Sequence, residues 1–141
     1  MNPLITDFPS AAARMPVIVA LDFADEKSTL AFVRRLEPDT CQLKIGKELF
    51  TASGRHLAES LINQGFKLFL DLKYHDIPTT VAKAGRTLVR HGVEIFNVHA
   101  SGGYDMIKKT REAIDEEAQK LGVKRPILLA VTVLTSLSDE D

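Results

Sequence analysis

The sequence predicts an α/β fold built on parallel strands, and three features carry that expectation. Short apolar runs start near 17, 42, 66, 94 and 127, a spacing of about 25 to 33 residues that matches one strand plus one crossover helix. Between the runs the apolar period lengthens to that of a helix. No hairpin signal joins one run to the next, so strand, helix and strand follow as right-handed parallel crossovers.

Each element has its own warrant. Residues 1–15 hold two prolines and no sustained period, and read as an N-terminal arm before a domain over 16–141. Val17-Ile18-Val19-Ala20-Leu21 is a continuous apolar run ending at Asp22, the pattern of a buried strand. Leu30, Val33 and Leu36 then mark a helical face. Gln42-Leu43-Lys44-Ile45-Gly46 is the second strand, followed by a helix carrying Leu57, Ala58, Leu61 and Ile62. Phe66-Lys67-Leu68-Phe69-Leu70, ending at Asp71, is the third strand; Val81, Ala84, Leu88 and Val89 line the helix after it, with Pro78 near its start. Glu94 to His99 is the fourth strand, and Met106, Ile107, Ala113, Ile114, Ala118 and Leu121 form the next apolar stripe. Ile127 to Val133 is the fifth strand. Gly65, Gly92 and Gly122 stand where three of the helices should stop.

Two folds share this alternation, the open doubly wound sheet and the (β/α)8 barrel. Asp22, Lys44, Asp71 with Lys73, His99 and the Thr135-Ser136 pair each fall at or just beyond the C-terminal end of a run. Polar groups converging from successive strand ends suit a barrel active site. The first turn, Leu21-Asp22-Phe23-Ala24-Asp25, lacks the glycines of a dinucleotide-binding fold. The barrel is therefore expected, but only four βα units and a fifth strand fit in 141 residues, against the eight units of a whole barrel. Ser138-Asp139-Glu140-Asp141 reads as a helix N-cap with acidic first-turn residues. The expectation is thus the N-terminal part of a longer barrel.

Composition narrows the function classes. Eighteen Lys and Arg against nineteen Asp and Glu leave a formal charge of −1, which gives no electrostatic case for nucleic acid or an anionic membrane. Hydrophobic residues at 45% with 26% charged are globular proportions. No run approaches the length of a membrane span, and Asp7 with two prolines breaks up the N-terminus where a signal peptide needs apolar residues. A cytoplasmic enzyme or binding domain is the expectation. Cys41, the single cysteine, is read as core packing.

The informative segment is Asp71-Leu72-Lys73-Tyr74-His75-Asp76-Ile77-Pro78-Thr79-Thr80. Alternation puts Asp71 and Lys73 on one side of strand three, with Asp76 in the following loop. Lys44, at the end of strand two, adds a second cation. Neighbouring barrel strands would let Lys44, Asp71, Lys73 and Asp76 form an alternating array in which each charge favours its opposite neighbours. Such an array holds a fixed negative charge beside a substrate, and a lysine within it can deliver a proton to a developing carbanion.

Taken together, Leu21-Asp22, Leu43-Lys44-Ile45-Gly46, the Asp71 to Thr80 string, Asn97-Val98-His99-Ala100-Ser101-Gly102-Gly103 and Val131-Thr132-Val133-Leu134-Thr135-Ser136 resemble the bacterial-type orotidine 5'-phosphate decarboxylases. The resemblance runs from about Pro16 to the last residue. It implies a (β/α)8 barrel lyase of pyrimidine synthesis that converts orotidine 5'-monophosphate to UMP and CO2 with no metal and no organic cofactor. By position in the motif, Lys73 resembles the proton donor to C6. Asp71 resembles the carboxylate set against the departing one, and Asp76 the aspartate inserted by the partner subunit of a homodimer. Asp22 and Lys44 look like the ribose contacts, Thr80 like the threonine shared across the dimer, and Thr135 like a residue that meets the pyrimidine.

The family also grips the substrate phosphate with glutamine, glycine and arginine residues on later loops, which this sequence does not reach. The chain alone is therefore expected to decarboxylate poorly and to leave strands one and five as unpaired edges. Two alternatives stand beside this reading: a non-catalytic partial barrel that needs a complementary chain, and a magnesium-dependent sugar-phosphate decarboxylase or synthase of the same superfamily. Ile77-Pro78 with Thr80 and the Val131 to Ser136 segment argue against the second. His99 is read as a rim or core histidine, Ser101-Gly102-Gly103 as a turn needing glycine, and Arg111 to Glu117 with Lys108-Lys109 as a solvated helical face.

Overall fold

The computed structural model describes residues 17–138 and 140. The expected N-terminal arm over 1–15 and two residues of the expected helix cap, Asp139 and Asp141, lie outside them. Among the described residues five strands alternate with four α-helices: β1 Ile18–Ala20, α1 Glu26–Val33, β2 Gln42–Gly46, α2 Lys47–Asn63, β3 Leu68–Tyr74, α3 Pro78–Arg90, β4 Ile95–His99, α4 Tyr104–Leu121 and β5 Ile127–Val131. A 3-10 turn over Ala100–Gly102 links β4 to α4. All pairings are parallel and the sheet order is β1-β2-β3-β4-β5. Strictly sequential order is barrel order, because a doubly wound sheet reverses direction at a switch point.

Local chemistry sets the helix ends. The Asp25 carboxylate accepts the Ser28 N–H at 2.8 Å and caps α1. Pro78 occupies the start of α3, as its missing N–H permits. Gly65, Gly92 and Gly122 all take positive φ, at 95°, 74° and 66°. Beyond each, the chain closes back on the helix: Phe66 N–H to Leu61 O, Val93 N–H to Leu88 O and Val123 N–H to Ala118 O. Three helices therefore end in one kind of glycine turn. Within α2, Gly54 (φ 64°, ψ −166°) breaks the helix into two segments, a break the sequence reading did not anticipate.

One face of the sheet carries the core. Leu21, Leu43, Ile45, Leu68, Leu70, Phe96 and Val98 pack under the helices against Leu49, Leu57, Leu61, Met106 and Ile114. Cys41 is buried in this cluster, as expected. The alternate positions face the other way, and among the described residues no helix covers them. Ile18, Ile127 and Leu129 are 44%, 37% and 41% exposed there. The expectation that the first run is a buried strand is thus corrected: β1 exposes Ile18 and Ala20, and β5 ends at Val131 rather than Val133. Both lie at sheet edges, as expected, with no neighbouring strand beyond them among the described residues.

Helix α4 brings a second correction. Arg111 to Glu117 was expected to be a solvated face, yet Glu117 is buried. It follows Ala113 and Ile114 on the stripe that α4 turns toward α3, where it meets Arg90 Nε at 2.7 Å and Arg86 Nη1 at 3.5 Å. The hydrogen bond from Arg90 holds the Glu117 carboxyl below the usual glutamate range. No helix among the described residues is long and apolar enough to cross a membrane.

Candidate active site

Strand alternation collects the charged residues on the open face, at the C-terminal rim of the sheet. Asp71 stands opposite Gly46 in the β2–β3 register, so the absence of a β2 side chain beyond Lys44 leaves room at the rim. The Asp71 carboxylate accepts from Lys73 Nζ at 2.6 Å and from Asn97 Nδ2 at 2.7 Å, both at Oδ1. Its Oδ2 takes Lys44 Nζ at 3.4 Å. Lys44 lies in turn 3.9 Å from Asp22 Oδ1. The order Asp22, Lys44, Asp71, Lys73 is therefore a chain of alternating charge from β1 to β3.

Burial alone would push the Asp71 carboxyl up. The hydrogen bonds from Lys73 and Asn97, with the positive charges of Lys73 and Lys44, outweigh burial and hold it below the ordinary aspartate range. Asp71 is thus a fixed negative charge with only 15% of its side chain exposed. A cleft of about 260 Å³ opens beside it, lined by Asp22, Phe23, Lys44, Lys47, Asp71 and Lys73 among others.

The third strand runs further than the apolar pattern implied. It continues through Asp71 and Lys73 to Tyr74, with an irregularity between Leu70 and Tyr74. Lys73 there adopts φ 51° and is the only non-glycine residue with positive φ among the described residues. That conformation costs of order 1–3 kcal/mol and persists only where surrounding contacts impose it.

The expected array included Asp76, and the structure corrects this for a single chain: Asp22 takes the fourth place. Asp76 is exposed and accepts the Ile77 N–H at 2.6 Å, with no ion pair among the described residues. Thr80 is exposed in the first turn of α3, and Thr135 in the turn after β5. Neither lines the cleft. His99 ends β4 with its ring centroid 5.6 Å from that of His75. The sequence reading missed Asn97 as a site residue. Its signal was a lone amide within the apolar run of β4, on the face that alternation shares with His99.

Comparison with known proteins gives this geometry a context. The model of the orotidine 5'-phosphate decarboxylase / HUMPS family matches residues 15–141. The chain belongs to that family. An orotidine 5'-phosphate decarboxylase of Neisseria meningitidis is 60% identical over all 141 residues, and one of Chromobacterium violaceum is 55% identical over the same length. The chain spans 55% of the length of each of these relatives. Among solved structures, the Lactobacillus acidophilus orotidine 5'-phosphate decarboxylase superposes with TM-score 0.81 at 41% identity, covering 90% of this chain and 57% of that one. The Methanocaldococcus jannaschii enzyme, complexed with the inhibitor BMP, gives 0.67 at 25% identity, covering 84% of this chain and 53% of that one. The fold is accordingly that of the family's TIM barrel, of which these five strands form an arc.

Proposed function

We propose that this chain carries the catalytic charges of an enzyme that converts orotidine 5'-monophosphate to UMP and CO2. The observation that supports it most is Asp71, held ionised between Lys73, Lys44 and Asn97 at the wall of an open cleft. In this reading the substrate's C6 carboxylate is set against Asp71 and the C6–carboxylate bond breaks to release CO2. The electron pair stays at C6, a ring carbon with no ordinary π sink. Preorganised positive charge must therefore stabilise it, and the Lys73 ammonium supplies that charge. Lys73 then gives C6 its proton and is reprotonated from water.

The remaining residues follow from their positions. Asp22 and Lys44, which line the cleft with Asp71 and Lys73, take the ribose hydroxyls, and Lys44 also keeps Asp71 charged. Asp76 and Thr80 are exposed outside their own chain's array, which suits a homodimer in which each subunit completes its partner's site. Thr135, beyond β5, meets the pyrimidine. Binding energy from the remote phosphate is used to hold the carboxylate in an unfavourable place. The reaction takes no metal and no organic cofactor and runs in the cytoplasm.

The test is to follow ultraviolet absorbance while purified chain meets orotidine 5'-monophosphate, with and without EDTA. It is repeated after adding the segment of a Neisseria relative that lies beyond the aligned region. The expected result is turnover in the mixture, indifferent to EDTA. Turnover that EDTA abolishes and magnesium restores, or activity on a keto-sugar phosphate instead, would overturn this reading.

A further inference from the structure

Strand β3 gains length against β4 at the charged centre. Phe69 pairs with Ile95 and Leu70 with Phe96, and the ladder resumes only at Tyr74 with Val98. Three β3 residues, Asp71, Leu72 and Lys73, therefore stand opposite the single β4 residue Asn97. A bulge of this kind takes backbone donors out of the ladder, and a partly buried donor needs another acceptor. The Lys73 N–H finds it in Asn97 Oδ1 at 2.8 Å. The other end of the same amide, Nδ2, donates to Asp71 Oδ1 at 2.7 Å. An N–H can meet only the carbonyl end, and a carboxylate only the NH2 end, so the two contacts fix the orientation of the amide. Asn97 is 3% exposed within a strand whose neighbours are buried apolar residues. An amide is retained there only where both its ends are satisfied.

We propose that Asn97 is a positioning residue of the decarboxylase centre: it clips the β3 bulge, holds Lys73 in its left-handed backbone conformation, and orients Asp71 against the Lys73 amine. What the geometry is used for rests on the decarboxylase reading; the clip itself does not.

Asn97→Asp separates positioning from mere packing. It keeps an acceptor for the Lys73 N–H but sets a second carboxylate against that of Asp71. The two cannot both ionise comfortably, and they share a proton with a raised apparent pKa. The other charged groups around Asp71 are Lys44 from β2, Lys73 from β3 and, behind Lys44, Asp22 from the end of β1; the substitution leaves all three in place. In the shared-proton form the new carboxyl donates as the amide did. Asn97→Leu removes both contacts.

The experiment is a 13C NMR titration of the aspartate carboxyls, with amide hydrogen exchange at Lys73, in the unaltered chain and in both variants. Expected are Asp71 titrating below ordinary aspartates in the unaltered chain, a proton-sharing step above that range in Asn97→Asp, and Lys73 exchange accelerated by about tenfold or more in Asn97→Leu. Independent titration of both carboxyls in Asn97→Asp overturns the proposal. So does unchanged Lys73 protection in Asn97→Leu; if that variant does not fold, Asn97→Asp decides. Where the completed enzyme turns over, Asn97→Asp should lose kcat at neutral pH and regain it on acidification. A kcat that acidification does not restore overturns the proposal. If the titrations behave as expected and the completed enzyme does not turn over, the clip stands and the decarboxylase reading fails.

Discussion

At the residue scale, Lys73 is the most informative position, because its backbone and its side chain pull in opposite directions. Its amine makes the 2.6 Å contact with Asp71, while its φ of 51° is one that an L side chain adopts at a cost. Lys73→Gly and Lys73→Ala lose the same amine; alanine keeps a φ cost of roughly 1–2 kcal/mol, which glycine sheds against roughly 0.5–1 kcal/mol of extra unfolded-chain entropy. Lys73→Gly should therefore be more stable than Lys73→Ala by about 1 kcal/mol, read as a difference between urea unfolding midpoints. Equal midpoints would mean that the backbone relaxes once the amine is gone. Asp71 makes an acid prediction. Its folded pKa lies below the unfolded value of 3.8, so its contribution to stability is complete above that value and is lost as pH falls through the folded pKa. Asp71→Asn should flatten the acid limb of the stability profile below 3.8, and an unchanged limb would contradict the depressed pKa. Lys44, Asp71 and Lys73 were legible as a charge array because they stand in or just beyond apolar runs; the place of Asp22 in that array, where Asp76 was expected, depends on the β1–β2 pairing and was not. Asn97 was not, because neutral amides in strands carry no charge pattern and its role exists only across the β3–β4 bulge.

At the element scale, strands and helix stops were legible because they depend on local chemistry: apolar runs, Pro78 at a helix start and glycines at positive φ. What was not legible depends on partners. The length of β3 reflects its pairing with β4, and the burial of Glu117 reflects the two arginines that α3 brings to α4. The α3–α4 crossing makes its own prediction. A Cβ at Gly85 would lie 2.9 Å from Ile114 Cγ2 and 3.4 Å from Thr110 Cγ2. Alanine gains roughly 1 kcal/mol of helix propensity over glycine, but overpacking costs about 1–3 kcal/mol. Packing should win, because the closest neighbour is a branched, fully buried side chain. Gly85→Ala should lower the unfolding midpoint; a raised midpoint would show that α3 and α4 part freely.

At the scale of the whole molecule, the sheet has one face under helices and one face open, with both edges unpaired among the described residues. Apolar Ile18, Ile127 and Leu129 on the open face, next to exposed strand edges, favour self-association. Sedimentation velocity of the chain alone should show concentration-dependent association that Leu129→Lys weakens, and a monodisperse monomer at all concentrations would refute this. The exposed Asp76 predicts a second whole-molecule behaviour. If it acts in the partner's site, mixed dimers of an Asp76→Ala and a Lys73→Ala variant of the completed enzyme should recover activity that neither parent has. Heterodimers that form without recovery would exclude a shared site. Release of labelled CO2 from carboxyl-labelled orotidine 5'-monophosphate by a barrel completed on this chain, with and without Lys73→Ala, tests the proposed role of the Asp71–Lys73 centre most directly. Release by the unaltered centre, and its loss in the variant with substrate still bound, is the expected result. Near-equal release from the two would contradict it.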